Sequence, residues 1–403
     1  MMTKDAAPRT TLDIMSQEIA ADPWPVLRVL REKGPVVWHE TYNRWMIATD
    51  RAVRKIVVDF RKFTVEGTAA EQLFGKEAFI SMDDRRRHDD LRNVWAEAFR
   101  AQGLQRLAPS IRLYVETLVA PVVERLRSGE AVDLSSTVCR ALPTMVIAAM
   151  MGVPEAMLPA VIGWSDAMGA GGPAYLAGAD AARIKQASAD AKAAFADYLG
   201  EMILQRRTAP AEDLVSTLVH SDIAKTMSDE QLIPNLRQLL FAGNETTAKW
   251  LAQIFATYAE QNDVRRALVR DPSLVPAAND EVMRWQGVVG TLARRVRGGP
   301  IEMGGVTLAD GDDVTCVLSA ANRDPERYED PDKFDIYRPA QPNLGFGVGF
   351  HNCLGSALAK MEAELVVNRL LNDVPDFHVA APYHYSTLPM RGPVPVTLAL
   401  GQR

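Results

Sequence analysis

The sequence predicts a mainly α-helical fold with a small β-sheet portion. Long Ala- and Leu-rich stretches place apolar residues at helical spacing through most of the 403-residue chain. Short alternating segments bounded by Gly, Asn or Asp account for much of the remainder. No Pro/Gly/Ser-rich linker, repeat or low-complexity tract interrupts this order, so we expect one large domain over residues 23–403. Residues 1–22 are expected to form an N-terminal segment that is mobile at its start.

Composition and charge narrow the class of protein. Hydrophobic residues make up 47% of the chain and charged residues 24%, which is typical of a soluble globular protein. A net charge of −6 argues against nucleic acid as the main partner. Cys139, Cys316 and Cys353 are too few for a disulfide framework and suit a reducing compartment. The most apolar run, residues 141–153, is shorter than the roughly 20 residues that cross a membrane. We expect a cytoplasmic monomer with no membrane partner.

The first eighty residues are predicted to contain a short helix, two strands, a second helix and a long loop. Residues 24–33 form the first helix, which a Gly-Pro pair ends. Residues 36–38 and 44–47 read as strands on either side of a turn. Asp50 is placed to cap the helix that follows. Residues 63–79 show no clean period and are predicted to be a loop.

Residues 83–99 are predicted to be a helix with a highly charged start. His88 and Arg92 are four residues apart and share one face of it. Such a face is usually only solvated, and Arg85–Arg87 are expected to be exposed.

Amphipathic helices follow from residue 104 to residue 200, broken by the run Gly169–Pro173 and by Gly178. Two interpretations of this break stay open, a surface loop and a hinged lid over a pocket.

A long helix is predicted over residues 231–258, opened by a capping box between Ser228 and Gln231. The segment 242–247 stands at its centre, where a glycine is followed by an acid and two threonines. Threonine side chains there can bond back to carbonyl groups and make room for water. Taken alone, this pattern indicates a kink in a core helix.

Two later patterns, taken alone, indicate structural roles. Glu281 and Arg284 are three residues apart and could pair on one helix face, which is usually a surface feature. Residues 301–306 and 314–318 alternate in hydrophobicity and predict a small β region, with Cys316 as a core residue.

The residues 346–355 form a glycine-rich loop that ends in one cysteine, just before a helix predicted for residues 356–371. The positive end of that helix favours a thiolate at Cys353, which would be a nucleophile, a metal ligand or a haem ligand. A lone cysteine is usually an inert core residue. The glycine and aromatic residues around Cys353 favour a haem ligand. Gly347, Gly349 and Gly355 allow close approach to a flat ligand, and Phe346 can shield the sulfur.

The pattern Phe-Gly-x-Gly-x-His-x-Cys-x-Gly in this loop resembles the haem-binding signature of the cytochrome P-450 family. The resemblance implies the P-450-type fold and one haem b, with Cys353 as the axial ligand. It implies that four side chains contact the haem propionates: His88, Arg92, Arg295 and His351. Arg294 is the alternative to Arg295. It also implies a structural brace formed by Glu281, Arg284 and Arg338, and it includes Phe346, Gly347 and Gly355 in the haem site.

The same resemblance assigns chemistry to the long helix. Gly243 would leave space for dioxygen, and Glu245 and Thr246 would deliver protons to it. The implied activity is monooxygenation, either hydroxylation or oxidative dealkylation. Because the chain has no flavin- or nicotinamide-binding fingerprint, electrons would come from a ferredoxin and a ferredoxin reductase. Docking is expected on the cysteine side, at Lys360 and Arg85–Arg87. Two alternatives are a peroxide-driven or non-oxygenating haem-thiolate enzyme and a haem-binding sensor without turnover.

The expected substrate is a compact hydrophobic molecule, aromatic or terpenoid-like, because the candidate pocket residues are mostly apolar. These residues are Leu73, Phe74, Val288, Val289, Leu292, Leu388 and Met390. Arg391 is the candidate charge partner for a substrate carboxylate.

Overall fold

Helices dominate the computed structural model, which describes residues 6–171 and 180–401, and the predicted mainly α class is confirmed. The first eight helices are α1 (Gln17–Ala21), α2 (Trp24–Glu32), α3 (Asp50–Val58), α4 (Ala69–Phe74), α5 (Arg85–Ala96), α6 (Ala101–Arg127), α7 (Ala141–Met150) and α8 (Leu158–Gly171). The others are α9 (Ala181–Thr208), α10 (Leu214–Val219), α11 (Asp229–Glu260), α12 (Asn262–Arg270), α13 (Val275–Gln286), α14 (Leu318–Ala321) and α15 (Ser356–Asp373).

The β portion of the described chain is small and lies in one mixed sheet and three minor ones. The strands are β1 (Arg9–Thr10), β2 (Val36–His39), β3 (Arg44–Ile47), β4 (Phe63–Thr64), β5 (Val132–Asp133), β6 (Thr291–Val296), β7 (Ile301–Met303), β8 (Val306–Leu308), β9 (Asp313–Val317), β10 (Phe377–Val379), β11 (His384–Tyr385), β12 (Pro393–Val394) and β13 (Thr397–Leu400). The main sheet has the order β1-β2-β3-β9-β6-β4, and the others are β10-β13-β5, β11-β12 and β7-β8.

The predicted hairpin of β2 and β3 forms, and it recruits the N-terminal segment. The two strands pair antiparallel with Trp38 opposite Trp45. Strand β1 pairs in parallel with β2, with Arg9 opposite Trp38, and Ile14 is fully buried. The expected mobile start falls before residue 6, outside the described residues, and stays a prediction. Sheet pairing and core packing hold the part of the segment that begins at residue 6.

Helix α11 runs through the centre of the fold and is the element on which the other helices pack. It extends two residues beyond the prediction at each end. Its first turn contains the predicted capping box, in which the N–H of Ser228 donates to Gln231 Oε1 at 2.9 Å. Trp250, Phe255 and Tyr258 are almost fully buried along it. Because α7, α9, α13 and α15 all contact α11, a residue on this helix faces several parts of the chain at once.

Two local predictions in the first eighty residues are wrong. Asp50 is the first residue of α3 rather than its cap, which is Thr49, and its carboxylate pairs with Arg54 at 2.8 Å. Residues 63–79 contain β4 and α4 instead of forming one loop. Long-range bonds impose this order, because β4 pairs with β6 and the segment 77–80 bonds to side chains of α11.

The predicted break near residue 170 is partly wrong and partly outside the described residues. Helix α8 continues through Gly169 and Gly171. A Cβ at Gly171 would lie 2.2 Å from Ser188 Cβ of α9, so glycine there permits close packing of two helices. Pro173 and Gly178 lie in the segment 172–179, which the structure does not describe.

Within the two described ranges, we find no helix that combines the length and hydropathy needed to cross a bilayer.

Candidate active site

A mostly apolar cavity lies between α11 and the cysteine loop. Residues of α11 form one wall, and the loop 345–355 with the start of α15 forms the opposite wall. Val288, Val289 and Leu292 contribute a third wall. Cys353 and Thr246 both line this cavity although 107 positions separate them in the chain. The cavity thus brings together the two motifs that the sequence singled out.

The cysteine loop is shaped by its backbone. The N–H of Cys353 donates to the carbonyl of Phe346 at 2.7 Å, which closes the loop. Gly347 and Gly349 take φ values of 69° and 75°, a conformation that favours glycine. Cys353 lies three residues before α15, whose N-cap is Gly355. Burial raises the pKa of the Cys353 thiol, while the N–H of Gly355 and the Arg92 guanidinium act in the opposite direction. A metal ion at the sulfur would supply the positive charge that a thiolate here requires.

Two buried imidazole groups next to the loop have no partner on one nitrogen. His88 is fully buried, and its Nδ1 lies 2.9 Å from Asp89 Oδ1. The ring centroids of His88 and His351 are 4.9 Å apart. In the described part of the chain, neither Nε2 atom has a hydrogen-bond partner. Burial lowers the pKa of His351 to about 2, and the positive charges of Arg294, His88, Arg92 and Arg85 contribute.

This group of donors fits a ligand that carries carboxylates. Arg92 lines the cavity, and its Nη2 donates to Asn352 Oδ1 at 3.1 Å beside Cys353. Carboxylates placed among Arg92, His88 and His351 would accept from the Arg92 guanidinium and from His351 Nε2–H, and their charge would favour protonated His88, whose Nε2 then donates as well. The residues present therefore fit the haem group that the sequence pattern implies.

The structure directs Arg295 away from the cavity. Its Nε donates to Asp313 Oδ1 at 2.9 Å, and its side chain is 39% exposed. Because side chains alternate along β6, Arg294 lies on the same face as the cavity residue Leu292. Arg294 is buried, and its Nη1 donates to the carbonyl of Ala293 at 2.8 Å. The alternative residue, Arg294, is the one positioned for a propionate contact.

The centre of α11 presents a hydroxyl group to the cavity. Thr246 Oγ1 donates to the carbonyl of Ala242 at 2.8 Å, one turn earlier, as the sequence predicts for threonines there. Gly243 also lines the cavity, but a Cβ at this position would lie 2.9 Å from Cγ1 of Ile147 on α7. The glycine therefore permits close packing of α7 on α11 at the cavity wall.

Glu245 is turned away from the cavity and is engaged in ion pairs. It contacts Arg140 and lies 3.0 Å from Lys249 Nζ. Arg140 also contacts Asp166 of α8, and Lys249 Nζ donates to the carbonyl of Met390 at 2.9 Å. Burial by itself raises the pKa of Glu245, but the charges of Lys249 and Arg140 outweigh it and leave the pKa lowered. Sequence analysis missed Arg140, which no local pattern connects to Glu245, whereas Lys249 was visible one turn along the helix.

The three residues of the predicted brace are in contact. Arg284 donates to both carboxylate oxygens of Glu281 at 2.7 Å. Arg338 Nε donates to Glu281 Oε1 at 3.2 Å. Arg284 also donates to the carbonyl groups of Asn322, Pro331 and Lys333, so it fastens the 322–333 segment to α13.

Four of the seven predicted pocket residues are absent from the cavity wall that the described residues form: Leu73, Phe74, Leu388 and Met390. Phe74 packs on Phe241 at 5.4 Å, and Leu388 is fully buried against the N-terminal segment. Arg391 is not available to a substrate carboxylate. It is buried, donates to the carbonyl of Ala20 at 2.7 Å, and stacks over the ring of Tyr385.

Sequence analysis missed further cavity residues, most of which come from distant segments, although Thr247, Asn352 and Leu354 belong to the two motifs that it singled out. The missed residues are Phe79, Ile80, Phe99, Ile147, Gln238, Leu239, Thr247, Trp250, Met283, Leu318, Leu344, Gly345, Asn352, Leu354, Leu358, Ala359 and Glu362. Glu362 is 2% exposed, and burial raises its pKa to about 8.

Comparison with known proteins agrees with this site. The sequence model described as Cytochrome P450 matches residues 21–375. The cytochrome P450 monooxygenase PikC of Streptomyces venezuelae is 31% identical over 385 residues, which cover 93% of this chain and 89% of the relative. The vitamin D3 dihydroxylase of Streptomyces griseolus is 31% identical over 363 residues, covering 86% and 84%. The crystal structure of CYP109E1 from Bacillus megaterium in complex with testosterone is 25% identical, with a TM-score of 0.87 over 96% of this chain and all of that one.

The fold agrees with that of the solved cytochrome P450 structures, and the sequence matches the family over most of its length. The chain therefore belongs to the cytochrome P450 family, whose members bind haem b through a cysteine thiolate and act as monooxygenases.

Proposed function

We propose that the chain inserts one oxygen atom from dioxygen into a C–H bond of a small hydrophobic substrate, with Cys353 as the haem-iron ligand. The same chemistry next to a heteroatom would give oxidative dealkylation. In the hydroxylation, dioxygen, two electrons and two protons convert R–H into R–OH and one molecule of water. The observation that carries the proposal is the position of Cys353 and Thr246 on facing walls of one apolar cavity.

The bound haem supplies the binding and reductive activation of dioxygen. The cysteine loop would position the haem, since Gly347 would leave room for its face and the ring of Phe346 packs 5.4 Å from that of Trp250 in the cavity wall. Arg92, Arg294, His88 and His351 would bind the propionates, because they are the buried or half-buried donors at the loop.

The chain also controls the protons. The hydroxyl hydrogen of Thr246 is used by the carbonyl of Ala242, so its lone pairs are free to accept a hydrogen bond from water in the cavity. Glu245 remains ionised because of Arg140 and Lys249, and it accepts a proton from the protein surface when these contacts loosen. On this proposal, Glu245 passes the proton to the water that Thr246 orients after its side chain leaves the ion pairs and turns towards the cavity.

The substrate proposal is a compact hydrophobic molecule of aromatic or terpenoid type. The cavity walls are mainly Leu, Ile, Val and Phe side chains. Vitamin D3 and testosterone, which are named with two of the similar proteins, are large hydrophobic molecules of related character. Ferredoxin and ferredoxin reductase remain the proposed electron donors.

Three further expectations stay proposals. We infer a cytoplasmic location, because the three cysteines are free and a reducing compartment keeps them so. Residues 23–403 form one domain, against which the described part of residues 1–22 packs. The chain works as a monomer.

The direct test is the absorption spectrum of the reduced protein with carbon monoxide. We expect the red-shifted band of thiolate-ligated haem in the native protein and its loss in Cys353→Ser. Cys139→Ser is a matched control, because Cys139 is also a buried cysteine but does not line the cavity. A native protein without this band, or a Cys353→Ser variant that keeps it, contradicts the proposal.

A further inference from the structure

One polar side chain faces the substrate volume from an otherwise apolar stretch of α11. Gln238, Ala242 and Thr246 are spaced four residues apart, and all three line the cavity. Gln238 is only 4% exposed, and the surface that it keeps lies on the cavity wall. Its neighbours in that wall are Phe79, Ile80 and Leu239. A ligand in the cavity therefore meets an amide group among hydrocarbon side chains.

The orientation of this amide is fixed by the backbone. The N–H of Ile80 donates to Gln238 Oε1 at 3.2 Å, and only the oxygen of an amide can accept such a bond. The NH₂ group is therefore the opposite end. Among residues 6–171 and 180–401, Gln238 Nε2 donates no hydrogen bond.

Asn235, one turn earlier, shows what a purely structural amide looks like here. Its Oδ1 accepts from the N–H of Phe79 at 3.0 Å, and its Nδ2 donates to the carbonyl of Glu77 at 2.9 Å. Both ends of Asn235 thus fasten the 77–80 segment to α11. Gln238 uses only its amide oxygen to hold this segment, so its NH₂ group remains available to a ligand in the cavity.

We propose that Gln238 Nε2 donates a hydrogen bond to an acceptor oxygen of the substrate, a carbonyl or hydroxyl group, and so determines which end of the molecule is oxidised. The inference deepens the proposed function and rests on it. Gln238 and Thr246 are about 12 Å apart along the helix axis, since each residue rises about 1.5 Å. The acceptor therefore lies at the end of the substrate away from the carbon that is oxidised. A donor left unsatisfied among apolar groups disfavours binding, so a plain hydrocarbon is the poorer ligand.

The test compares two ligands of nearly equal shape in haem-loaded full-length protein. The probes are 4-phenylcyclohexanone, which has an acceptor oxygen, and phenylcyclohexane, which has none. Dissociation constants come from the shift of the haem absorption band on titration. We expect Gln238→Leu to weaken binding of the ketone by about tenfold and to change binding of the hydrocarbon by less than about twofold. Gln238→Met is the second variant, should the leucine variant fail to bind haem.

Asn235→Leu is the matched control, since it removes a fastening of the same segment without touching the cavity. It should leave the ketone-to-hydrocarbon ratio as in the native protein. Equal weakening of both probes in Gln238→Leu, no weakening of either, or selective loss of the ketone in Asn235→Leu would each overturn the inference. The carbon monoxide band of each protein reports separately on the proposed function, so failure of one idea is distinguishable from failure of the other.

Discussion

At the scale of single residues, Glu362 is a carboxyl group buried against the cavity with no hydrogen-bond partner for its Oε2 atom among the described residues. Burial raises its pKa from 4.5 to about 8, so the folded protein keeps this group neutral at pH 7. The unfolded chain would release the proton near its ordinary pKa. Between these two pKa values the folded state binds one more proton than the unfolded state, and stability falls as the pH rises.

Glu362→Gln should remove that pH dependence. We expect the native protein to lose up to about 4 kcal/mol of unfolding free energy between pH 5 and pH 8 through this group, and the variant to lose none of it. Guanidinium unfolding of the haem-loaded protein at both pH values measures the difference. Glu97→Gln, at an exposed position of the same charge, is the control. Parallel pH curves for native and Glu362→Gln proteins would rule out this account.

Thr246 is the other single residue with a specific expected effect. Thr246→Ala removes the hydroxyl group that orients water in the cavity. Electrons should still be consumed, but they should reduce dioxygen to hydrogen peroxide instead of forming product. Product formed per nicotinamide oxidised should fall by roughly tenfold, with a matching rise in hydrogen peroxide. Thr246→Ser keeps a hydroxyl group and should restore most of the yield. An unchanged yield in Thr246→Ala would instead favour the peroxide-driven or non-oxygenating alternative.

At the scale of elements, a chain of charges connects α8, α11 and the C-terminal loop. Arg140 follows the π-helical turn Ser135–Cys139 and contacts both Glu245 of α11 and Asp166 of α8. Lys249 links Glu245 to the carbonyl of Met390. A displacement of α8 or of the C-terminal loop would therefore change the charge balance at Glu245. If Glu245 supplies protons, as we propose, that supply would be coupled to the elements that border the cavity.

Arg140→Leu should raise the pKa of Glu245, because it removes one of the two cations that lower it. The native ion pair stabilises the folded protein above the ordinary carboxyl pKa, and this stabilisation is lost as the pH falls through the lowered pKa. We expect the variant to lose about 3 kcal/mol of stability at pH 7. The acid side of its activity profile should move to higher pH. Arg140→Lys keeps the charge and is the control. If the pH profile of activity is unshifted in Arg140→Leu, Glu245 does not supply the protons.

The same elements show what the sequence could and could not predict. Helix α11 and its capping box, the cysteine before α15 and the Glu281–Arg284 pair were all predicted, since each depends on residues close together in the chain. Segment 63–81 was not, because strand pairing and the side chains of Asn235 and Gln238 determine its structure. Arg294 was ranked behind Arg295 because strand alternation fixes the choice only when the buried face is known. Local sequence patterns therefore predict the helices and strands, whereas long-range contacts determine which residues line the cavity.

At the scale of the whole molecule, positive side chains lie around the cysteine loop although the net charge is −6. The Arg85 guanidinium lies 5.3 Å from the ring centroid of Phe350. Lys360 Nζ lies 5.5 Å from the ring of Phe346 and is partly exposed. Arg85 and Lys360 thus contact two phenylalanine residues of the cysteine loop, while each also pairs with a carboxylate, Asp89 and Asp280 respectively. If a ferredoxin docks at this face, as we propose, electrons would enter through the loop that carries Cys353.

Reversing charges on this face should slow reduction by an acidic ferredoxin. We expect the double variant Arg86→Glu/Lys360→Glu to be reduced about tenfold more slowly at low ionic strength, and the difference to shrink as salt screens the charges. Stopped-flow absorbance under carbon monoxide measures the rate, and dithionite reduction should be unaffected. Arg183→Glu, an exposed reversal on α9, is the matched control and should leave the rate unchanged. Equal slowing by both variants would indicate a general charge effect, and equal rates in all proteins would move the docking site away from the cysteine face.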